Sequence, residues 1–280
     1  MTSQPTSQPT SQPTSQPTSQ PTVLAELFAG LRAQNRAALV GYLPAGYPDL
    51  AASKDLYAAI IEGGCDLVEV GLPFSDPVLD GPVIQHAAQQ ALAGGFRVRD
   101  TFEIVESITA RGGRAVVMTY FNPVLAYGVD AFARDLAAAG GAGVITPDLI
   151  VDEAGPWLDA VHAHGIDPIF LVAPSSSAER IALTAASGGG FVYAASVMGV
   201  TGARDQVSSA APDLVARCRT VTDLPIGVGL GVRTGEQARQ IAEYADAVIV
   251  GSAFLDAYAR GGRDAAAALA SEFAAGIRAA

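Results

Sequence analysis

Eight short apolar runs rich in β-branched residues alternate with Ala-rich stretches of helical character, and this alternation restricts the chain more than any other feature. The runs are Ala38–Val40, Leu67–Val70, Ala115–Thr119, Gly143–Thr146, Ile169–Val172, Val192–Ala195, Ile226–Val228 and Ala247–Val250. Between them stand the helical candidates Leu50–Glu62, Thr101–Ala110, Val129–Ala139, Ala154–His164, Ala178–Ala186, Pro212–Arg219 and Gly235–Tyr244. An extra candidate, Pro82–Ala93, intrudes after the second run. Near-continuous Val, Ile and Leu indicate strands buried on both faces, the pattern of a parallel sheet. Eight β/α units in one domain-sized chain predict an α/β fold, a (β/α)8 barrel, rather than an open sheet. An open doubly wound sheet would carry G-x-G-x-x-G after its first strand. The turn here is Leu43-Pro44-Ala45-Gly46-Tyr47-Pro48, which lacks that spacing.

Residues 1–22 are a Thr-Ser-Gln-Pro repeat with no charge, no aromatic and no aliphatic residue beyond Met1. Such a segment cannot bury enough apolar surface to offset its ordering entropy, so a disordered tail with polyproline-II character is expected. It lacks the basic and apolar regions of a secretory signal, and the first arginine is Arg32, which argues against a transit peptide. A linker or a misassigned start codon is favoured over a docking arm. Residues 23–280 are then the barrel domain, half of the chain being apolar. No apolar run approaches the roughly 18 residues of a membrane helix. The net charge of −11 argues against nucleic acid and acidic membranes as partners. Cys65 and Cys218 suggest neither a disulfide framework nor a metal site. A soluble, cytoplasmic protein is expected.

The segment Asp66–Gln85 concentrates chemistry. Glu69 sits on an otherwise apolar strand, where a carboxylate is costly unless it is paired or used. It either points into the barrel mouth, where an apolar setting raises its pKa, or pairs with an arginine inside the barrel. Asp80, ahead of Gly81-Pro82, reads by itself as a helix N-cap. Asp76 reads as a structural member of the loop, and Tyr193, on the sixth run, as a core aromatic. Gly199-x-x-Gly202, Gly229-x-Gly231 and Gly251-Ser252 follow the sixth, seventh and eighth runs. Glycine lets backbone N–H groups approach an anion, and a helix N-terminus adds partial positive charge, so together these clusters predict a phosphate site. His86, His162 and His164 do not form a metal set, and His162 and His164 suit a helix C-terminus.

Glu69–Gln85, E-V-G-L-P-F-S-D-P-x-x-D-G-P-x-I-Q, closely resembles the signature of the tryptophan synthase α subunits. The resemblance continues in order through Gly41–Pro48, Tyr120-Phe121-Asn122-Pro123, Thr146-Pro147-Asp148-Leu149, Gly199-Val200-Thr201-Gly202, Gly227–Gly231 and Gly251-Ser252-Ala253. It implies retro-aldol cleavage of indole-3-glycerol phosphate to indole and glyceraldehyde 3-phosphate, with no metal or cofactor in this chain. Glu69 would be the acid/base, and Asp80 would receive the indole N–H. The Tyr193 hydroxyl would face the substrate, beside Tyr42. Thr201 would lie at the site, on a mobile lid spanning 198–207, and Gly202, Gly229, Gly231, Gly251 and Ser252 would hold the phosphate.

The resemblance further implies a pyridoxal-phosphate β subunit as partner in an α2β2 assembly, faced by the loops of Asn122 and Asp148. Tyr42 stands where relatives often carry Phe, which keeps a ring in the pocket. Val197 stands where some carry Arg, so a lid-anchoring ion pair from that position is not expected. A stand-alone lyase, or a weakly catalytic subunit that mainly activates its partner, are the alternatives. The intact Glu69/Asp80 pair speaks against the second.

Overall fold

The computed structural model describes residues 21–195, 210–229 and 231–280. The strands are β1 (Ala38–Pro44), β2 (Leu67–Gly71), β3 (Ala115–Met118), β4 (Gly143–Ile145), β5 (Asp167–Ile169), β6 (Leu171–Val172), β7 (Val192–Ala195), β8 (Ile226–Gly229) and β9 (Ala247–Val250). All pairings are parallel, in the order β5-β4-β3-β2-β1-β9-β8-β7-β6. The ends of that order, β5 and β6, are separated only by Phe170, whose carbonyl still accepts the Tyr193 N–H at 3.1 Å. They are two halves of one stave, so the nine segments form the eight-stave barrel that the sequence pattern predicts.

Two cores follow from strand alternation. Val40, Leu67, Val116, Ile145, Ile169, Phe191, Ala247 and Ile249 pack together inside the barrel. Leu39, Val68, Val70, Val117, Val144, Val192 and Val228 face the helical jacket. The jacket comprises α2 (Leu50–Glu62), α3 (Pro82–Ala93), α4 (Val98–Thr109), α5 (Phe121–Tyr127), α6 (Val129–Ala138), α7 (Gly155–Ala163), α8 (Ala178–Ser187), α9 (Ala210–Arg219), α10 (Gly235–Ala242) and α11 (Ser252–Arg278). α11 breaks at Gly261–Gly262, where Gly262 has φ +66°.

Before the first strand, α1 (Val23–Ala33) lays Leu24, Leu27, Phe28 and Leu31 against the inner core and closes the N-terminal end of the barrel. Thr22 belongs to this helix rather than to the tail, since it is the N-cap and accepts the Ala25 N–H at 3.2 Å. Arg36 then ties the barrel floor, pairing with both oxygens of Asp66 at 2.8 Å while Asp66 also accepts the Leu39 N–H at 2.9 Å.

Two local expectations are corrected. β1 does not stop at Val40 but continues through Gly41-Tyr42-Leu43-Pro44, paired with β2 as far as Gly71. A Cβ at Gly41 would fall 2.7 Å from Ile60 Cδ1, so that glycine serves close helix packing. Phe121-Asn122-Pro123 is the first turn of α5, where a missing proline N–H costs nothing, and not a simple loop.

Candidate active site

Glu69 shares the inward parity of Leu67 and stands in register with Tyr42 on β1 and Val116 on β3. Its side chain is 0% exposed and neither carboxyl oxygen has a hydrogen-bond partner among the described residues. Among the described residues no arginine reaches it, so the ion-pair alternative finds no partner there. With nothing to stabilise the anion, burial pushes its pKa up to about 8.

Asp80 follows in the loop between β2 and α3, partly buried. The N-cap expectation for it fails, because Gly81 is the N-cap of α3, Pro82 opens the helix, and no side chain caps it. The Asp80 main-chain carbonyl accepts the Gln85 amide at 2.8 Å. Burial raises its carboxyl to about 6.

Two phenols join these carboxyls. Tyr42 titrates well above its ordinary range, through burial first and then the charges of Asp80, Tyr57, Glu69 and Tyr120. Tyr193 is raised by burial and then by Glu69 and Asp80, so both rings lie within reach of both acids. Glycines make room for them. A Cβ at Gly71 would fall 2.6 Å from the Tyr42 hydroxyl, and one at Gly229 would fall 2.5 Å from the Tyr193 hydroxyl. One at Gly251 would come 3.1 Å from Tyr42 Cδ1.

The glycine positions also frame an anion-binding rim. Gly229 ends β8, Gly231 follows it with φ +69°, and Gly251 precedes α11, whose first residue is the buried Ser252. Thr201, Gly202, Gly199 and the expected lid lie outside the described residues. On the outer rim, Asn122 is exposed on α5, and the exposed Asp148 accepts the Phe121 N–H with both oxygens at 2.9 and 3.1 Å, thereby capping α5.

Sequence reasoning passed over Tyr120 and Gly71 as individual residues. The usable signal was an aromatic just past the end of one strand and a glycine two residues beyond the strand carboxylate. His164 is the C-cap of α7 and His162 lies in its last turn. Among the described residues no group of three or more His, Cys, Asp or Glu could hold a metal ion. A cavity of about 650 Å³ lined by Phe28, Arg32, Val215 and Tyr244 opens at the opposite, N-terminal end of the barrel. The carboxyls and phenols converge instead at the strand C-termini, the end at which barrel enzymes carry their chemistry.

An eight-stave barrel with two carboxyls of raised and unequal basicity in its C-terminal mouth belongs to the class of barrel enzymes that work by proton transfer. Residues 28–277 match the profile of the family described as tryptophan synthase alpha chain. The chain belongs to that family, and it is a lyase that cleaves indole-3-glycerol phosphate. It is 64% identical to the tryptophan synthase alpha chain of Mycobacterium avium (strain 104) over 255 residues, covering 91% of this chain and 94% of that one. It is 65% identical to that of Nocardia farcinica over 257 residues, covering 92% and 96%. A solved Mycobacterium tuberculosis tryptophan synthase superposes with a TM-score of 0.89 at 61% identity, covering 92% of this chain and 99% of that one. The alpha subunit of Legionella pneumophila str. Paris keeps a TM-score of 0.85 at 30% identity, with 92% and 99% covered.

Proposed function

We propose that Glu69 and Asp80 divide the cleavage between them. The observation that carries this is their unequal basicity in one mouth, about 8 for Glu69 and about 6 for Asp80. At neutral pH the first is mainly protonated and the second mainly ionised, so an acid and a base stand ready together. Glu69 gives its proton to carbon 3 of the indole ring, and the Asp80 carboxylate accepts the ring N–H and stabilises the positive charge. Glu69, now ionised, takes the proton of the glycerol hydroxyl next to the ring. The carbon–carbon bond breaks, its electron pair returns to the ring, and indole and glyceraldehyde 3-phosphate leave with Glu69 protonated again.

Tyr42 and Tyr193 flank the ring. Thr201 stands beside the substrate, and Gly202, Gly229, Gly231, Gly251 and Ser252 hold the phosphate. The start of α11 supports this, since its free N–H groups and dipole favour an anion. Fixing the phosphate there fixes the reacting carbon over Glu69. The chemistry asks for no cofactor on this chain.

Residues 23–280 act as one catalytic domain in the cytoplasm, joined to a pyridoxal-phosphate β subunit in an α2β2 assembly. Asn122 and Asp148 face that partner. Exposed Val78 (70%), Leu125 (56%) and Ile150 (54%), on the loops and helix after β2, β3 and β4, favour a partner over a stand-alone lyase. No helix among the described residues is long and apolar enough to cross a membrane.

The decisive experiment measures indole release from indole-3-glycerol phosphate by the purified chain, alone and with a cognate β subunit. Slow release that rises sharply on adding β is expected. Equal rates would favour the stand-alone lyase, and release by Glu69→Gln at the parent rate would defeat the mechanism.

A further inference from the structure

Tyr120 has no part in the chemistry assigned to the mouth, yet it holds the segment that delivers Asp80. It lies between β3 and α5, 7% exposed, with its ring 5.2 Å from that of Phe74 at 35°. Its hydroxyl oxygen accepts the N–H groups of Val78 at 3.1 Å and Leu79 at 3.0 Å, the two residues before Asp80. Among the described residues, these are the only hydrogen bonds made by main-chain N–H groups of residues 73–79. Pro73 and Pro77 have no N–H to offer. On the other side of Asp80, the Gln85 amide grips its carbonyl. The anchor of the phenol is itself fixed, because Asp148 caps the adjacent Phe121 N–H.

We infer that Tyr120 is the positioning residue of Asp80, its hydroxyl acting as a double acceptor that sets where the carboxyl enters the mouth. This rests on the reading of Asp80 as the group that receives the ring N–H. Leu79 and Asp80 are partly covered while Val78 points outward, so little packing constrains this stretch. The phenol takes the place of water as the acceptor for two adjacent amides and thereby selects one conformation of the loop. The charges of both Asp80 and Asp148 act on this phenol, consistent with its place between the mouth and the outer rim. A displacement of about 1 Å at a reacting group can cost about 100-fold in rate, so a loop anchor has kinetic weight.

The test is Tyr120→Phe in the full chain, which keeps the ring and its contact with Phe74. The kcat for indole release should fall about 10-fold with KM changed less than about 2-fold, since the contacts that bind substrate lie elsewhere. Amide exchange at Val78 and Leu79 should accelerate at least about 10-fold, with the exchange of β-strand amides unchanged. In an Asp80→Asn background, where residual turnover is followed, adding Tyr120→Phe should cost less than about 2-fold. Parent-like kcat despite faster exchange would overturn the inference. So would an equal loss in the Asp80→Asn background, which would mean that Tyr120 acts on something else. Parent-like turnover by Asp80→Asn alone would instead refute the role of Asp80, and the inference with it.

Discussion

A buried carboxyl at the centre of a barrel is a standing cost, and Glu69, unpartnered among the described residues, shows how that cost appears in both stability and rate. The folded chain keeps its proton up to about pH 8, whereas an ordinary glutamate titrates near 4.5. Between those values the folded state binds more protons than the unfolded one, so stability falls as pH rises through the window. The contribution is fully present below about pH 4.5 and gone above about pH 8. Glu69→Gln removes this titration. Urea unfolding at pH 5 and pH 8.5 should show the parent losing about 2–4 kcal/mol more than the variant between the two. Parallel behaviour of the two proteins would mean that the carboxyl is solvated or paired. The same substitution should lower kcat by about 100- to 10,000-fold, the range for loss of a general acid–base group, while leaving β-subunit affinity within about 2-fold. In the parent, kcat/KM should decline as pH rises through about 8, where Glu69 loses the proton it must donate, and as pH falls through about 6, where Asp80 gains one. A profile flat from pH 6 to 9 would contradict both assignments.

At the scale of elements, the glycines at strand ends matter for what they leave empty. The Tyr193 hydroxyl occupies the space that a side chain at Gly229 would need. Gly229→Ala should therefore leave the barrel folded but swing that phenol, lowering kcat about 10-fold. Tyr193→Phe, which removes the clashing oxygen, should suppress most of the further loss when the two are combined. Additive losses would place the effect in the backbone instead. Asp148→Ala should loosen α5 at its first turn by about 1 kcal/mol, as the loss of a cap does. It should also weaken β-subunit binding, which titration calorimetry would report.

These elements also mark the limits of what the sequence can reveal. The staves and most of the jacket were legible because Val/Ile/Leu runs and amphipathic helices announce themselves by period. β1 was cut short because Gly41 and Pro44 look like turn residues, although the glycine answers to Ile60 and Cys65 across the packing interface. α5 was hidden because its cap, Asp148, comes from a loop after another strand, a tertiary fact with no local signal. Glu69 and Asp80 were visible as residues, but the lack of any partner for Glu69 among the described residues, which with burial keeps it protonated to about pH 8, was not.

On the scale of the whole molecule, the barrel has two unlike ends. The C-terminal mouth keeps polar groups, while the N-terminal floor is sealed by α1, which sequence periodicity left unassigned because it is a single helix outside the β/α repeat. Four of its side chains, Leu24, Leu27, Phe28 and Leu31, are at most 6% exposed and share one core with the inward residues of six staves. Burying each contributes about 1.5–3 kcal/mol, so together they account for roughly 6–12 kcal/mol, comparable to the net stability of an ordinary domain. Thr22 starts this helix, its hydroxyl accepting the Ala25 N–H. A chain beginning at Pro21 should therefore keep the melting temperature of the full chain within about 2 °C, because no part of the floor has been removed. A chain beginning at Arg32 exposes the inner core at the floor and should fail to give a cooperative thermal transition, even though both carboxyls and every stave remain. Differential scanning calorimetry on the two truncations separates these outcomes. A cooperative transition in the second would show that the barrel closes without its floor, and that the mouth alone sets its stability.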